Sequence, residues 1–156
     1  MSPITVPEGE LFCMGDNRVG SIGTDRIATA IMKNIIRECD MLNEPSLLES
    51  TSLTETKLQL VGHLHTFLGT MATSTEVNNK IASTIERMLK FEESKLKRYN
   101  VNRLTDNVKK EIIATLRLID SMNNISKLLG DKHVGTSLKV KEVYNANVAK
   151  FAQHVI

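Results

Sequence analysis

Apolar residues recur every three or four positions along most of this chain, which is the spacing of an amphipathic α-helix. The first clear stretch begins at Thr24 or Asp25, whose short oxygen side chains suit a helix N-cap, and passes through Ile35 to Leu42. Pro45 ends it, because the residue before a proline is pushed out of the α region. The pattern therefore predicts a first helix from Thr24 to just before Pro45.

The second predicted helix starts near Ser52 or Thr54 and fades after Gly69. We expect its apolar side to be buried, because a helix of a globular protein turns its apolar stripe to the core. The residues of that side are Leu53, Leu60, Leu64, Phe67, Leu68 and Met71, with Val61 beside them.

The third and fourth helices have polar residues suited to their first turns. Thr73 and Glu76 have the spacing of a capping box, in which each side chain satisfies a backbone donor. The third helix then extends to about Tyr99. Thr105 or Asp106 caps the fourth helix, and its wide apolar face predicts that it is the most central one.

The C-terminal part is predicted to be a loop followed by a fifth helix. Gly130 ends the fourth helix, because glycine tolerates the left-handed conformation just past a helix end. A loop over residues 131–137 then leads to an apolar stripe that runs to Val155. Five helices and few strand signals predict an all-α fold, a five-helix bundle-like domain over residues 24–156 with up-and-down packing.

Residues 1–23 are predicted to form an irregular arm or loop, because they hold two of the three prolines and four of the eight glycines. The string from Pro7 to Ser21, PEGELFCMGDNRVGS, resembles the Gly-Asp-Asn-Arg box of type I signal peptidases. The resemblance implies a catalytic serine and a base lysine upstream of the box. Only Ser2 and no lysine precede Gly15, and a nucleophile without its base is a poor catalyst. No catalytic residue is therefore carried over.

Composition and spacing argue against several classes of protein. No apolar run approaches the roughly 20 residues that cross a bilayer, and no secretory signal pattern opens the chain. Cys13 and Cys39 have no metal or redox spacing, so we expect free thiols in a reducing, cytoplasmic compartment, with a disulfide between them as the alternative. His63 and His65 point to different sides of a helix, unlike the pair of a zinc helix. No metal and no cofactor are predicted.

The net charge of +2 hides an asymmetry between the two halves of the chain. Residues 1–79 carry 5 basic and 10 acidic side chains, a net charge of −5, whereas residues 80–156 carry 15 and 8, a net charge of +7. The basic half suits nucleic acid or an acidic partner. The alternative is that the two halves attract each other, within one fold or between copies.

The basic residues concentrate between Lys80 and Arg117, where five acidic residues dilute them. Such a segment can neutralise phosphates, and an aromatic ring within it can stack on a base. The candidate nucleic-acid-binding residues are Lys90, Lys95, Lys97, Arg98, Tyr99, Arg103, Lys109 and Lys110. The alternative is a solvated tip of the hairpin between the third and fourth helices.

No arrangement of residues typical of a catalytic site is found. The neighbouring carboxylates Glu92 and Glu93 diverge by about 100° around a helix, and we expect them to pair with lysines on a solvated face. Adjacent apolar residues such as Ile35 and Ile36 present two directions, and we expect an oligomer to cover the second one. The alternative is burial of both directions between three neighbouring helices of one bundle.

We therefore expect a non-enzymatic α-helical assembly or adaptor protein that acts through protein–protein contacts and forms a homo-oligomer. The alternative function is a nucleic-acid-binding accessory factor, of a DNA-packaging or transcription type, that uses the basic segment. A viral, phage or host-regulatory context suits such a protein, and nothing in the sequence selects one of them.

Overall fold

The computed structural model describes residues 18–44 and 50–155, and within these ranges the regular elements are all helical. The predicted all-α, bundle-like fold is confirmed. Its five α-helices are α1 (Arg18–Leu42), α2 (Thr51–Gly69), α3 (Thr75–Lys97), α4 (Asp106–Ser126) and α5 (Val134–Val155). Two 3-10 turns, Lys127–Leu129 and Asp131–His133, connect α4 to α5.

Helix α1 begins earlier than its pattern predicts. Its first residue is Arg18 rather than Thr24, so the last part of the arm predicted over residues 1–23 is helical. The difference arises because glycines and polar residues weaken the apolar spacing there without breaking the helix. Residues 1–17, which include Cys13 and most of the Gly-Asp-Asn-Arg string, lie outside the described residues.

Hydroxyl side chains start α3 and α4. The N-cap of α3 is Ser74, whose Oγ accepts a hydrogen bond of 3.2 Å from the backbone N–H of Val77. The predicted cap at Thr73 was therefore wrong by one residue. Thr105 caps α4 as predicted, since its Oγ1 accepts from the N–H of Val108 at 3.2 Å. Both hydroxyls satisfy donors that the first turn of a helix leaves free.

The connection between α4 and α5 is tighter than predicted. Gly130 has a φ of +87°, a conformation that a side chain disfavours, and it separates the two 3-10 turns. The prediction of a loop over residues 131–137 was wrong, because the second turn leads directly into α5 at Val134. Polar residues in this segment, such as Thr136, resemble loop composition, but the Thr136 hydroxyl donates to Glu86 of α3 at 2.6 Å.

The core is aliphatic and lies between all five helices. Helix α4 packs on α2, α3 and α5, as its wide apolar face predicts, and α3 likewise contacts three helices, α1, α4 and α5. The larger side chains with almost no exposure are Ile35, Leu42, Leu58, Ile81, Ile85, Met88, Leu96, Ile112, Leu118, Ile119, Met122 and Phe151.

Opposite charges join the two halves of the chain. Lys80 of α3 lies 2.5 Å from Asp40 of α1, and Arg117 of α4 lies 3.8 Å from Glu55 of α2. The attraction within one fold, which the charge asymmetry left as an alternative, is therefore realised by these pairs.

Within the described ranges, none of the helices combines the length and apolar character needed to cross a bilayer. The thiol of Cys39 is free and buried.

Candidate interaction surface on α2

Helix α2 exposes three of the seven apolar residues that its pattern predicts to be buried. Leu53, Leu60 and Phe67 are 47%, 43% and 56% exposed, so the prediction that they are buried was wrong. Val61 and Leu68 are buried as predicted, and Leu64 and Met71 are half-buried against the core. The residues of α2 that do enter the core are mostly smaller: Thr51, Thr54, Leu58, Val61, Gly62 and Leu68.

A close approach of α2 to α4 fixes this orientation. A Cβ atom on Gly62 would lie 3.0 Å from Cγ1 of Ile125, so the glycine allows the two helices to meet at this point. Leu60 is two residues from Gly62, which places it about 200° around the helix. The contact with Ile125 therefore turns Leu60, and with it Leu53 and Phe67, away from α4.

The exposed side of α2 carries no acidic or basic side chain other than a histidine. We call this surface the α2 face, and its residues are Ser52, Leu53, Thr56, Gln59, Leu60, His63, Thr66, Phe67 and Gly69. The charged residues of α2 are half-buried and paired at its sides: Lys57 lies 3.0 Å from Glu38, and Glu55 pairs with Arg117.

The apolar residues of the α2 face follow the seven-residue repeat of a coiled-coil seam. Leu53, Leu60 and Phe67 are seven positions apart, and Thr56 and His63 complete the alternation of three and four. The same pattern predicts amphipathicity, but it does not say whether the stripe faces this chain's own core or another protein. Two features of the sequence indicate that the stripe faces away from the core. Gly62 on the opposite side of α2 is small enough for close helix packing, and the positions around the stripe that are exposed carry no acidic or basic residue other than His63.

The exposed apolar residues at the start of α5 lie among charges. Val134 and Leu138 of α5 are 47% and 59% exposed, but Lys141 and Glu142 stand on either side of Leu138 around the helix. Exposed charges also mark the outer side of α3, for example Arg87. Among the helices described, α2 is therefore distinguished by an apolar stripe whose exposed neighbours on the same helix are uncharged.

Lys95, a candidate for nucleic-acid binding, lies in a polar cluster between three helices. Its Nζ is 3.0 Å from an oxygen of Glu92, 3.0 Å from an oxygen of Glu111 on α4, and 2.8 Å from the hydroxyl of Thr51 on α2. The Thr51 hydroxyl in turn donates to Glu111. The side chain of Glu92 is 0% exposed and that of Lys95 is 16% exposed.

The pKa shifts in this cluster follow from burial and pairing. Burial raises the pKa of Glu92, and the ammonium of Lys95 only partly opposes this effect. Burial works to lower the pKa of Lys95, but the carboxylates of Glu92 and Glu111 outweigh it and raise that pKa. Partial burial works to raise the pKa of Glu111. The hydrogen bond from Thr51 and the ammonium of Lys95 outweigh burial, so the pKa of Glu111 is lowered. The prediction that Glu92 lies on a solvated face was wrong. The Lys95 ammonium links α3 to α4 through Glu111 and to α2 through Thr51.

The other basic candidates are placed at or near the surface. Those that are exposed are Lys90, Lys97, Arg98, Arg103 and Lys110, and Lys109 is half-buried. Tyr99 is half-buried and packs against the core, and burial raises its pKa. The structure therefore leaves most of the cations at the surface but turns Lys95 and Tyr99 inward.

The histidines of α2 do not act together. His63 is exposed on the α2 face, whereas His65 is half-buried with its Nε2 2.7 Å from the side-chain oxygen of Asn78. In residues 18–44 and 50–155, no three His, Cys, Asp or Glu side chains group as metal ligands.

Comparison with protein-family models, with curated proteins and with solved structures finds no match to this chain. Function is therefore inferred from the chain's own geometry.

Proposed function

We propose that this chain is a non-enzymatic assembly or adaptor protein that binds another protein through the α2 face. The observation that supports the proposal is the exposure of Leu53, Leu60 and Phe67 on a helix side without charged residues. Contiguous apolar patches on soluble proteins mark interaction sites. Residues at this spacing are also the anchors by which one amphipathic helix docks on another surface.

The free energy gained by burying Leu53, Leu60 and Phe67 indicates how much of the α2 face a partner has to cover. Each of the three side chains is about half exposed, so burying the rest contributes roughly 1 kcal/mol per side chain. Association costs at least about 4 kcal/mol in lost freedom of motion. The three anchors alone therefore do not hold a partner, and the polar residues around them have to be in contact as well.

Photo-crosslinking in the cells that make the protein tests the proposal. A photoreactive phenylalanine analogue is placed at Leu60 and, as a control on another exposed surface, at Lys110 of α4. We expect a defined covalent adduct with protein from position 60 and none from position 110. If the variant at position 60 is folded by circular dichroism and gives no adduct, the proposal is wrong.

A second candidate function is nucleic-acid binding at the turn between α3 and α4, where Lys97, Arg98 and Arg103 are all exposed. Exposed cations next to each other neutralise phosphates, so binding has to weaken steeply as salt rises. Changing these three residues to glutamine should abolish a complex seen at low salt. The same change at three other exposed lysines, Lys132, Lys141 and Lys150, is the matched control. If the unmodified protein forms no complex at low salt, this function is excluded.

A further inference from the structure

We infer that the α2 face binds a second copy of this chain, with the two α2 helices packed antiparallel about a twofold axis at Leu60. The inference rests on the proposed function, because it names the partner of the same surface. It follows from the charge of the face and from the order of residues along it.

The charge of the α2 face favours a second copy over a charged partner. Every exposed position of α2 is uncharged or a histidine, so a strongly acidic or basic segment has no opposite charge to pair with there. The complementary surface is another helix side that is apolar and uncharged. Among the described helices of this chain, α2 itself is the one that presents such a side.

The order of residues along the stripe is symmetric about Leu60. An antiparallel pair centred there places Leu60 against Leu60 of the second copy, and Leu53 against Phe67 at both ends. Each end then receives one smaller and one larger side chain. Such an isologous contact closes the assembly as a dimer.

The parallel arrangement is less favourable for two physical reasons. It pairs Phe67 with Phe67 and Leu53 with Leu53, so the contact is thick at one end and thin at the other. It also places His63 against His63, whereas the antiparallel arrangement separates the two His63 residues by about 9 Å along the helix axis. The dipoles of two antiparallel helices oppose each other favourably, and those of two parallel helices do not.

The size of the surface predicts a dimer that dissociates. Helix α2 has 19 residues, and it presents a strip about 28 Å long and roughly 10 Å wide. A standard stable interface buries about 800 Å² per partner. The strip covers about a third of this area, so we expect a weak dimer that dissociates readily on dilution.

Disulfide trapping between copies tests both the partner and its direction. Single cysteines replace Leu60, Leu53 or Phe67 in the full chain, in a background with Cys13→Ser, and Cys39 is retained because it is buried. With a mild oxidant, Leu60→Cys alone should give a covalent dimer in high yield. Leu53→Cys and Phe67→Cys should give dimers when mixed with each other and few when oxidised alone, because each lies about 21 Å from its own copy.

The controls separate this inference from the proposed function. Lys110→Cys on α4 reports random collision, and a dimer yield equal to that of Leu60→Cys would overturn the inference. Dimers of Leu53→Cys and of Phe67→Cys alone, without a mixed product, would show a parallel pair and overturn the antiparallel geometry. If no variant forms dimers and photo-crosslinking at position 60 captures a different protein, the inference that the partner is a second copy is wrong. The proposed function then stands.

Discussion

Replacement of Lys95 by methionine removes the cation from the polar cluster but keeps most of its aliphatic volume. Glu92, with 0% of its side chain exposed, then loses the ammonium that lies 3.0 Å away. Glu111 and Thr51 lose the group that links α3 to α4 and α2, but Glu111 is 40% exposed and remains in contact with water. The cost therefore falls mainly on Glu92.

The size of the loss follows from burial. Breaking a buried ion pair by removing one partner costs about 3–5 kcal/mol, because an uncompensated charge stays in the interior. An exposed pair costs about 1 kcal/mol or less. Since Glu92 is fully buried and Lys95 is 16% exposed, we expect the larger loss in the free energy of unfolding near neutral pH.

The loss should depend on pH in a defined direction. Burial already holds the pKa of Glu92 above its ordinary value, and removal of Lys95 raises it further. A carboxyl whose folded pKa exceeds its unfolded pKa binds the proton more tightly in the folded state, so acidification stabilises the fold down to the unfolded pKa. The deficit of the variant should shrink as the pH falls from neutral toward the ordinary pKa of a glutamate, by at most about 1.4 kcal/mol per pH unit.

Urea denaturation followed by circular dichroism measures these differences. Lys97→Met, an exposed lysine on the same helix, should stay within about 0.5 kcal/mol of the unmodified protein. The double variant Glu92→Leu with Lys95→Met should recover most of the loss, because no charge is left buried. A deficit of less than about 1 kcal/mol for Lys95→Met near pH 7 would refute the assignment of a buried pair.

Three further predictions concern single positions in the fold. Gly130→Ala should cost about 1–3 kcal/mol in chemical denaturation, because φ is +87° there; an unchanged midpoint would contradict this conformation. Thr105→Ala should cost about 1 kcal/mol by the same assay and Thr105→Ser much less, since serine keeps the cap; equal losses would exclude the hydroxyl. Burial raises the pKa of the Cys39 thiol to about 11; with Cys13→Ser, labelling of the folded protein near neutral pH should be slow and urea should accelerate it, and fast labelling would contradict the burial.

The helices themselves could be predicted from the chain, because their apolar spacing is local information. The cap at Thr105 and the four helices from α2 to α5 follow from this kind of signal. The start of α1 at Arg18 was missed, since glycines near it resemble a loop.

The orientation of α2 could not be predicted from its own residues. Both sides of this helix carry apolar residues, and the side that enters the core packs on other helices, as where Gly62 meets Ile125 far along the chain. Burial of Glu92 was missed for a similar reason. Its pairing with Lys95 is local on α3, but the cluster is completed by Glu111 and Thr51 from other helices.

Sedimentation of the unmodified protein and of two leucine variants, over a concentration series that extends into the millimolar range, tests the use of the α2 face most directly. Leu60→Glu places a charge at the centre of the face, and Leu138→Glu places one on an exposed leucine of α5. We expect a monomer–dimer equilibrium for the unmodified protein and for Leu138→Glu, and a monomer with unchanged helix content for Leu60→Glu. Identical behaviour of all three proteins, whether monomeric or dimeric, would contradict a dimer formed through α2.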